Sequence, residues 1–281
     1  MYFHPPTLEP GPAATWIALA LLAYHVSAPP LLRPVHARRF RPGSGEGRMP
    51  YAAHLRMGGW LVLAEALAVM AFVGTATAVT GADLGWTAPR LADGDPLATA
   101  LVGAGSLYLL VFFLVSLARA HRGLLAQVRS GELPAGVDQN ALLALPRDRR
   151  EYRCMVGAGA LGVLSHVLVV YTVLYPVLAL AFGSPLLAVA ALGLLGGWQY
   201  LGQGRGMVLT MTVLTSIGLV SYAVLVPGSL VVPLLVWACY SGVALGTARG
   251  FVGVPVPEAS PAPHPVEAAG LDADGRPLER D

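Results

Sequence analysis

The chain has 281 residues, 55% of them hydrophobic and 12% charged, with a net charge of +2. A water-exposed globular surface draws on roughly 25% charged residues, so half that share excludes a soluble globular protein. The small net charge gives no footing for a nucleic-acid partner.

A helix that spans a bilayer needs about 20 mostly apolar residues. Seven stretches meet or approach this: 12–32, 57–80, 97–118, 154–182, 185–202, 207–227 and 229–248. They predict an all-α, polytopic membrane helix bundle with about seven transmembrane helices. The membrane domain covers 1–250, and a Pro-rich tail, 251–281, follows it. In the first stretch Val26-Ser27-Ala28 resembles a signal-peptide cleavage site. No arginine precedes it, however, and Pro29 would follow the cut, so it reads as a retained span. The tail carries Pro261, Pro263 and Pro265 among mixed charges and has no apolar periodicity, the composition of a disordered segment.

All eighteen basic residues are arginine, and they fall on alternate loops. Loop 33–56 holds Arg33, Arg38, Arg39, Arg41, Arg48 and Arg56 against Glu46 alone. Loop 81–96 holds Asp83, Asp93 and Asp95 against Arg90. Loop 119–153 is arginine-rich again, Arg205 lies in the next basic loop, and Arg249 follows the last span. By the positive-inside rule this predicts a multi-pass protein of the cell membrane with an extracytoplasmic N-terminus and a cytoplasmic C-terminus. Within loop 119–153, residues Arg119–Arg129 continue the third span, and Asn140–Leu145 reads as part of an interfacial helix on anionic headgroups.

Polar groups at membrane depth are costly and are the first candidates for function. Glu65 lies in Leu-Ala-Glu-Ala-Leu, about 12 Å of helix from the arginine-bearing end of its span. It reads either as a proton carrier or ligand-facing acid, or as a carboxyl bonded to a neighbouring helix. His166, in Leu164-Ser165-His166-Val167, reads as a base or metal ligand, or as a neutral histidine bonded to a facing helix. His25 reads as packing near the interface. Gly193–Gly197 and Gly242–Gly246 both have the small-xxx-small spacing of close helix contacts. Gly202-Gln203-Gly204-Arg205-Gly206 follows no strand, so it reads as a tight turn and not as a dinucleotide loop. Cys154 and Cys239 sit in apolar runs, which gives no disulfide framework, and Cys239 reads as a small buried residue.

The absences restrict the chemistry further. From Val167 through Pro257 there is no His, Asp, Glu or Lys, so the last spans offer a hard or borderline metal no ligand except Cys239. No metal and no cofactor is expected.

Four segments between 83 and 248 together resemble the CAAX-protease and bacteriocin-processing (CPBP) family of intramembrane metalloproteases. One is the Asp83-Leu84-Gly85-Trp86 turn. Another is Leu145-Pro146-Arg147-Asp148-Arg149-Arg150-Glu151-Tyr152, similar to the charged Pro-x-x-x-x-Glu-Arg segment before that family's main catalytic helix. A third, Leu194–Gly206, resembles its histidine helix ending in a Gln-Gly turn. The fourth, Pro227-Gly228-Ser229-Leu230-Val231-Val232-Pro233, resembles its entry to the last catalytic helix. The resemblance implies a helical bundle in which a glutamate activates water while histidines and an asparagine hold the metal. The Glu-Glu-x-x-x-Arg motif falls here on Ser165, His166 and Val170, the Phe-x-x-x-His motif on Gly196 and Tyr200, and the His-x-x-x-Asn motif on Trp237 and Ser241. Every ligand position is replaced.

These residues imply a binding or accessory protein without protease activity. Its cavity would be lined by Ser165, His166, Val170, Tyr171, Tyr200, Trp237 and Ser241 and would hold a hydrophobic peptide, lipid or isoprenoid ligand, or contact a partner membrane protein. One alternative is a membrane-embedded enzyme acting on an apolar substrate, with Glu65 and His166 as candidate catalytic residues. Another is an endopeptidase with unorthodox residues. A transporter ranks last, because few polar residues line the spans.

Overall fold

The computed structural model describes residues 6–39, 51–91, 95–131, 146, 148–201 and 205–254. The Asn140–Leu145 stretch and the tail from residue 255 lie outside the described residues. Seven helices account for nearly all of the described chain, which is an all-α bundle. They are α1 (Pro12–Arg39), α2 (Tyr51–Thr75), α3 (Pro96–Arg129), α4 (Arg149–Phe182), α5 (Pro185–Trp198), α6 (Arg205–Leu225) and α7 (Val231–Ala248, extended by a 3₁₀ turn at Arg249–Phe251). Six are long and apolar enough to cross a membrane, and the chain is a multi-pass integral membrane protein.

The exception is α5. The apolar run 185–202 predicts a seventh span, but the helix has 14 residues and rises about 21 Å, short of a ~30 Å hydrocarbon core. It starts sharply. Gly183 adopts the left-handed conformation (φ 58°) that closes α4, and Ser184 caps α5 with Pro185 at its first position. It stops at Trp198 because the glycine-rich segment that follows has poor helix propensity. α2 likewise stops at Thr75 instead of reaching 80, because 76–80 are drawn into the loop structure described below.

α4 is the central helix. Its middle, Leu168–Leu174, widens into a π-helix, and Val169–Leu174 are buried throughout. A second π-helical turn, Ser221–Leu225, ends α6. The two wide turns face each other through aromatic rings: Tyr222 packs edge-on against both Tyr171 and Tyr175, with centroids 5.5 and 5.6 Å apart. Gly218 leaves room for the Tyr171 hydroxyl, where a methyl group would collide with it. α3 is peripheral. None of its most apolar stretch is buried, and Leu101, Leu107, Tyr108, Val111 and Phe112 are exposed, as lipid-facing residues are.

The two glycine pairs behave differently. At α5–α6 a Cβ on Gly193, Gly196 or Gly197 would strike Ser216, Thr215 or Thr212 respectively, and Gly197 also sits against the Val208 carbonyl. Removing side chains there allows backbone approach. Gly242 and Gly246 have nothing within 4 Å of a Cβ position. Their spacing fits the packing motif, but among the described residues no helix packs closely on the face they occupy. Cys239 is also exposed on the bundle surface, not buried, because it lies on the outward side of α7.

One end of the bundle is capped by non-helical chain. Glu9 and Thr77 form a short antiparallel bridge (2.8 and 3.0 Å), and Leu8 is buried beneath it. Asp83 lies almost fully buried. Its carboxylate accepts four hydrogen bonds: from Thr7 N (2.8 Å), Thr7 Oγ1 (2.6 Å), Thr80 N (2.9 Å) and Thr80 Oγ1 (2.7 Å). Burial alone would raise this carboxyl, but the Thr7 and Thr80 donors outweigh it and hold the group below its usual 3.8. The next turn docks on the start of α7 through Leu230 N to Gly85 O (3.0 Å) and the Trp86–Ser229 bridge. Tyr222 donates to Ala82 O (3.0 Å).

At the opposite end, Arg129, Arg149, Arg205 and Arg249 lie at helix termini. Phe251 is buried against Val128, Leu124 and Leu125 of α3. His121 Nδ1 pairs with Thr247 Oγ1 (2.7 Å), and Arg129 donates to Gly250 O (3.3 Å).

Candidate functional site

A cavity of about 480 Å³ opens between α4 and α7. Its α4 wall is Met155, Ala158, Gly159, Gly162, Val163 and His166, residues spaced three and four apart and therefore on one face of the helix. Trp237, Tyr240, Ser241, Ala244 and Leu245 form the matching face of α7. Met155 to His166 spans about 16 Å of helix rise. Small residues keep the middle of this groove open. The inner end is polar and aromatic, closed by His25 of α1, Glu65 of α2, and Gln199 and Tyr200 just past α5.

The short length of α5 is what makes this end. The helix stops at the level of α1 residues 25–26, where Trp198 Nε1 donates to Val26 O (2.7 Å) and the Gln199 amide pairs with His25 Nδ1 (2.8 Å). A longer helix would carry these side chains past the cavity.

Glu65 is the hub. Its Oε2 accepts from the Ser165 hydroxyl, and its Oε1 lies 3.5 Å from His25 Nε2. The two ring nitrogens of His25 are thus flanked by the Gln199 amide and the Glu65 carboxylate. His166 packs edge-on against Trp237 with centroids 4.5 Å apart, and Trp237 packs against Tyr240 at 5.8 Å. The buried His166 Nε2 has no hydrogen-bond partner among the described residues.

The structure thus places His166, Tyr200, Trp237 and Ser241 around one cavity, together with Glu65. Ser165 is buried beside it and bonds to Glu65. Val170 and Tyr171 are not lining residues; the π-helical turn carries them into the core against α6. His25 and Gln199 belong to the site, although the sequence marks His25 as packing and gives Gln199 no role. The signal available was polarity at membrane depth, and it did not say that helices 174 residues apart would bring the two together. Among the described residues no three His, Cys, Asp or Glu side chains converge as a metal ion would require.

No family model, curated protein or solved structure matches the chain.

Proposed function

We propose that the protein is a membrane-embedded binding protein, on a scaffold resembling that of the CPBP family but without its metalloprotease chemistry, that holds an apolar ligand between α4 and α7. The observation that carries this reading is the groove itself. It has the volume of a small-ligand site, typically about 300–1,000 Å³, with small-residue walls and an aromatic end. The positions that resemble the family's metal-holding histidines and asparagine carry Tyr200, Trp237 and Ser241, which supply no strong metal donor.

Gly162 faces open space in the groove. The Gly162→Leu variant is expected to fill the groove, to fold at least as well as the parent, since glycine costs a helix about 1 kcal/mol, and to purify without the lipid-like molecules that accompany the parent. Mass spectrometry of organic extracts from the two proteins measures this. Identical extracts would count against the cavity as the binding site.

The Ser165–Glu65–His25 chain favours a second reading, an enzyme acting on an isoprenoid or lipid substrate in the same cavity. Glu65 and His25 would then exchange a proton with the substrate.

We also place the capped end outside the cell membrane and the arginine-rich end in the cytoplasm, on the arginine alternation. A periplasmic-type reporter fused after Arg90 should be active and one fused at residue 255 inactive, with a cytoplasmic fluorescent reporter giving the reverse. Equal signals at both sites would overturn this orientation.

A further inference from the structure

Among the described residues that line the cavity, Glu65 is the one carboxylate, and none is an arginine. His25, the basic side chain nearest Glu65, pairs through Nδ1 with Gln199, and its Nε2 lies 3.5 Å from the carboxylate without a hydrogen bond to it. A carboxylate offers about four acceptor sites, and the Ser165 hydroxyl occupies one. An ionised carboxylate at membrane depth without a cationic partner is unfavourable. The same end of the cavity is walled by Tyr200, Trp237 and Tyr240, with the Trp237 and Tyr240 rings nearly perpendicular at 5.8 Å. Aromatic faces set around a site beside a carboxylate are the chemistry that recognises an ammonium group.

We infer that the cavity's ligand is a cationic amphiphile, a protonated or quaternary amine bearing one apolar chain. Its head sits between Glu65 and the Tyr200–Trp237–Tyr240 wall, and its chain lies along the small-residue groove toward Met155 and Leu245. The inference rests on the reading of the groove as an apolar-ligand site and adds the charge of the ligand and its direction. The groove's rise of about 16 Å accepts a single medium-length chain. The opposite polarity, an anionic head near Glu65, would set two negative charges together in a low-dielectric site.

The test uses the purified full chain in a non-ionic maltoside and three radiolabelled twelve-carbon probes: dodecyltrimethylammonium, dodecanol and dodecanoate. Each is titrated against the parent, Glu65→Gln and Gly162→Leu. The cation should bind the parent at least tenfold more tightly than the alcohol, and dodecanoate more weakly than either. Glu65→Gln keeps an acceptor for Ser165 and should remove the preference for the cation without weakening the alcohol. Gly162→Leu should weaken cation and alcohol alike. If the three heads bind the parent within twofold of one another and Gly162→Leu weakens all of them, the charge assignment is overturned and the apolar-ligand reading stands. If Gly162→Leu changes no probe's affinity, the groove is not the binding site and both readings fall. The comparison of heads on the parent protein needs no variant, so a poorly folded Glu65→Gln would not rescue the inference.

Discussion

Gly197→Val is expected to be the most damaging single substitution in the bundle. A Cβ at this position meets the Thr212 side chain and the Val208 backbone carbonyl at once, and a carbonyl in a helix cannot rotate away as a side-chain tip can. Relief requires α5 and α6 to separate, which would loosen Gly193 and Gly196 from Ser216 and Thr215 as well. Overpacking of this kind costs about 1–3 kcal/mol and occasionally more, and the upper part of that range is expected. Because α5 positions Gln199 and Tyr200, the cavity should lose its inner wall. Thermal inactivation in detergent, followed by size-exclusion chromatography, gives the measurement. Gly242→Val is the matched control: it has the same substitution type and the same spacing motif, but open space around it. A parent-like Gly197→Val, or an equal loss in both variants, would show that the α5–α6 contact is not tight.

Asp83→Asn is expected to come second, and its effect should depend on pH. The native carboxylate accepts from two backbone amides and two hydroxyls, and hydrogen bonds to charged groups contribute about 1.5–3 kcal/mol each when measured singly. They are not additive, so a total near 3 kcal/mol is expected at neutral pH. Asp83 titrates lower in the folded protein than its usual 3.8. Its stabilisation is therefore complete above the unfolded value, about 3.9, and is lost as pH falls through the lower folded value. The gap between parent and Asp83→Asn should be constant from pH 7 to about 5 and narrow below about pH 4. A gap that stays constant down to pH 3, or none at pH 7, would show that Asp83 is not the tie between the Thr7 segment and the 76–87 loop.

These two sites also show what could be read from the sequence. Hydropathy located the helices because each span must satisfy its own backbone bonds in lipid and must be apolar over a fixed length. It did not locate where helices bend or stop within the bundle. The π-helical turn at Leu168–Leu174 is a run of apolar residues like any other, and hydropathy does not mark that Tyr171 within it meets Gly218 and Tyr222. The spacing of Gly193 and Gly197 is the same as that of Gly242 and Gly246, so the motif alone could not say which pair faces a neighbour. Asp83 reads as a loop acid because Thr7, its partner, lies 76 residues away. At the cavity, Glu65 and His166 stood out as isolated polar residues. The Ser165–Glu65–His25–Gln199 chain was hidden because it joins four helical elements whose rotations are set by packing and not by local sequence.

The stunted α5 also constrains how the chain is made. Fourteen residues are too few for a helix to enter a ~30 Å hydrocarbon layer as an independent span. The two-residue joint at Gly183-Ser184 holds α5 directly against the end of α4, a helix of 34 residues that enters unaided. Insertion of α5 is therefore a cooperative event: it enters the bilayer as the second arm of a hairpin already carried by α4, and its lower end is sealed when α1 supplies Val26 O and His25. An intermediate lacking α1 would leave Trp198 Nε1 and the Gln199 amide without the partners that Val26 O and His25 Nδ1 supply.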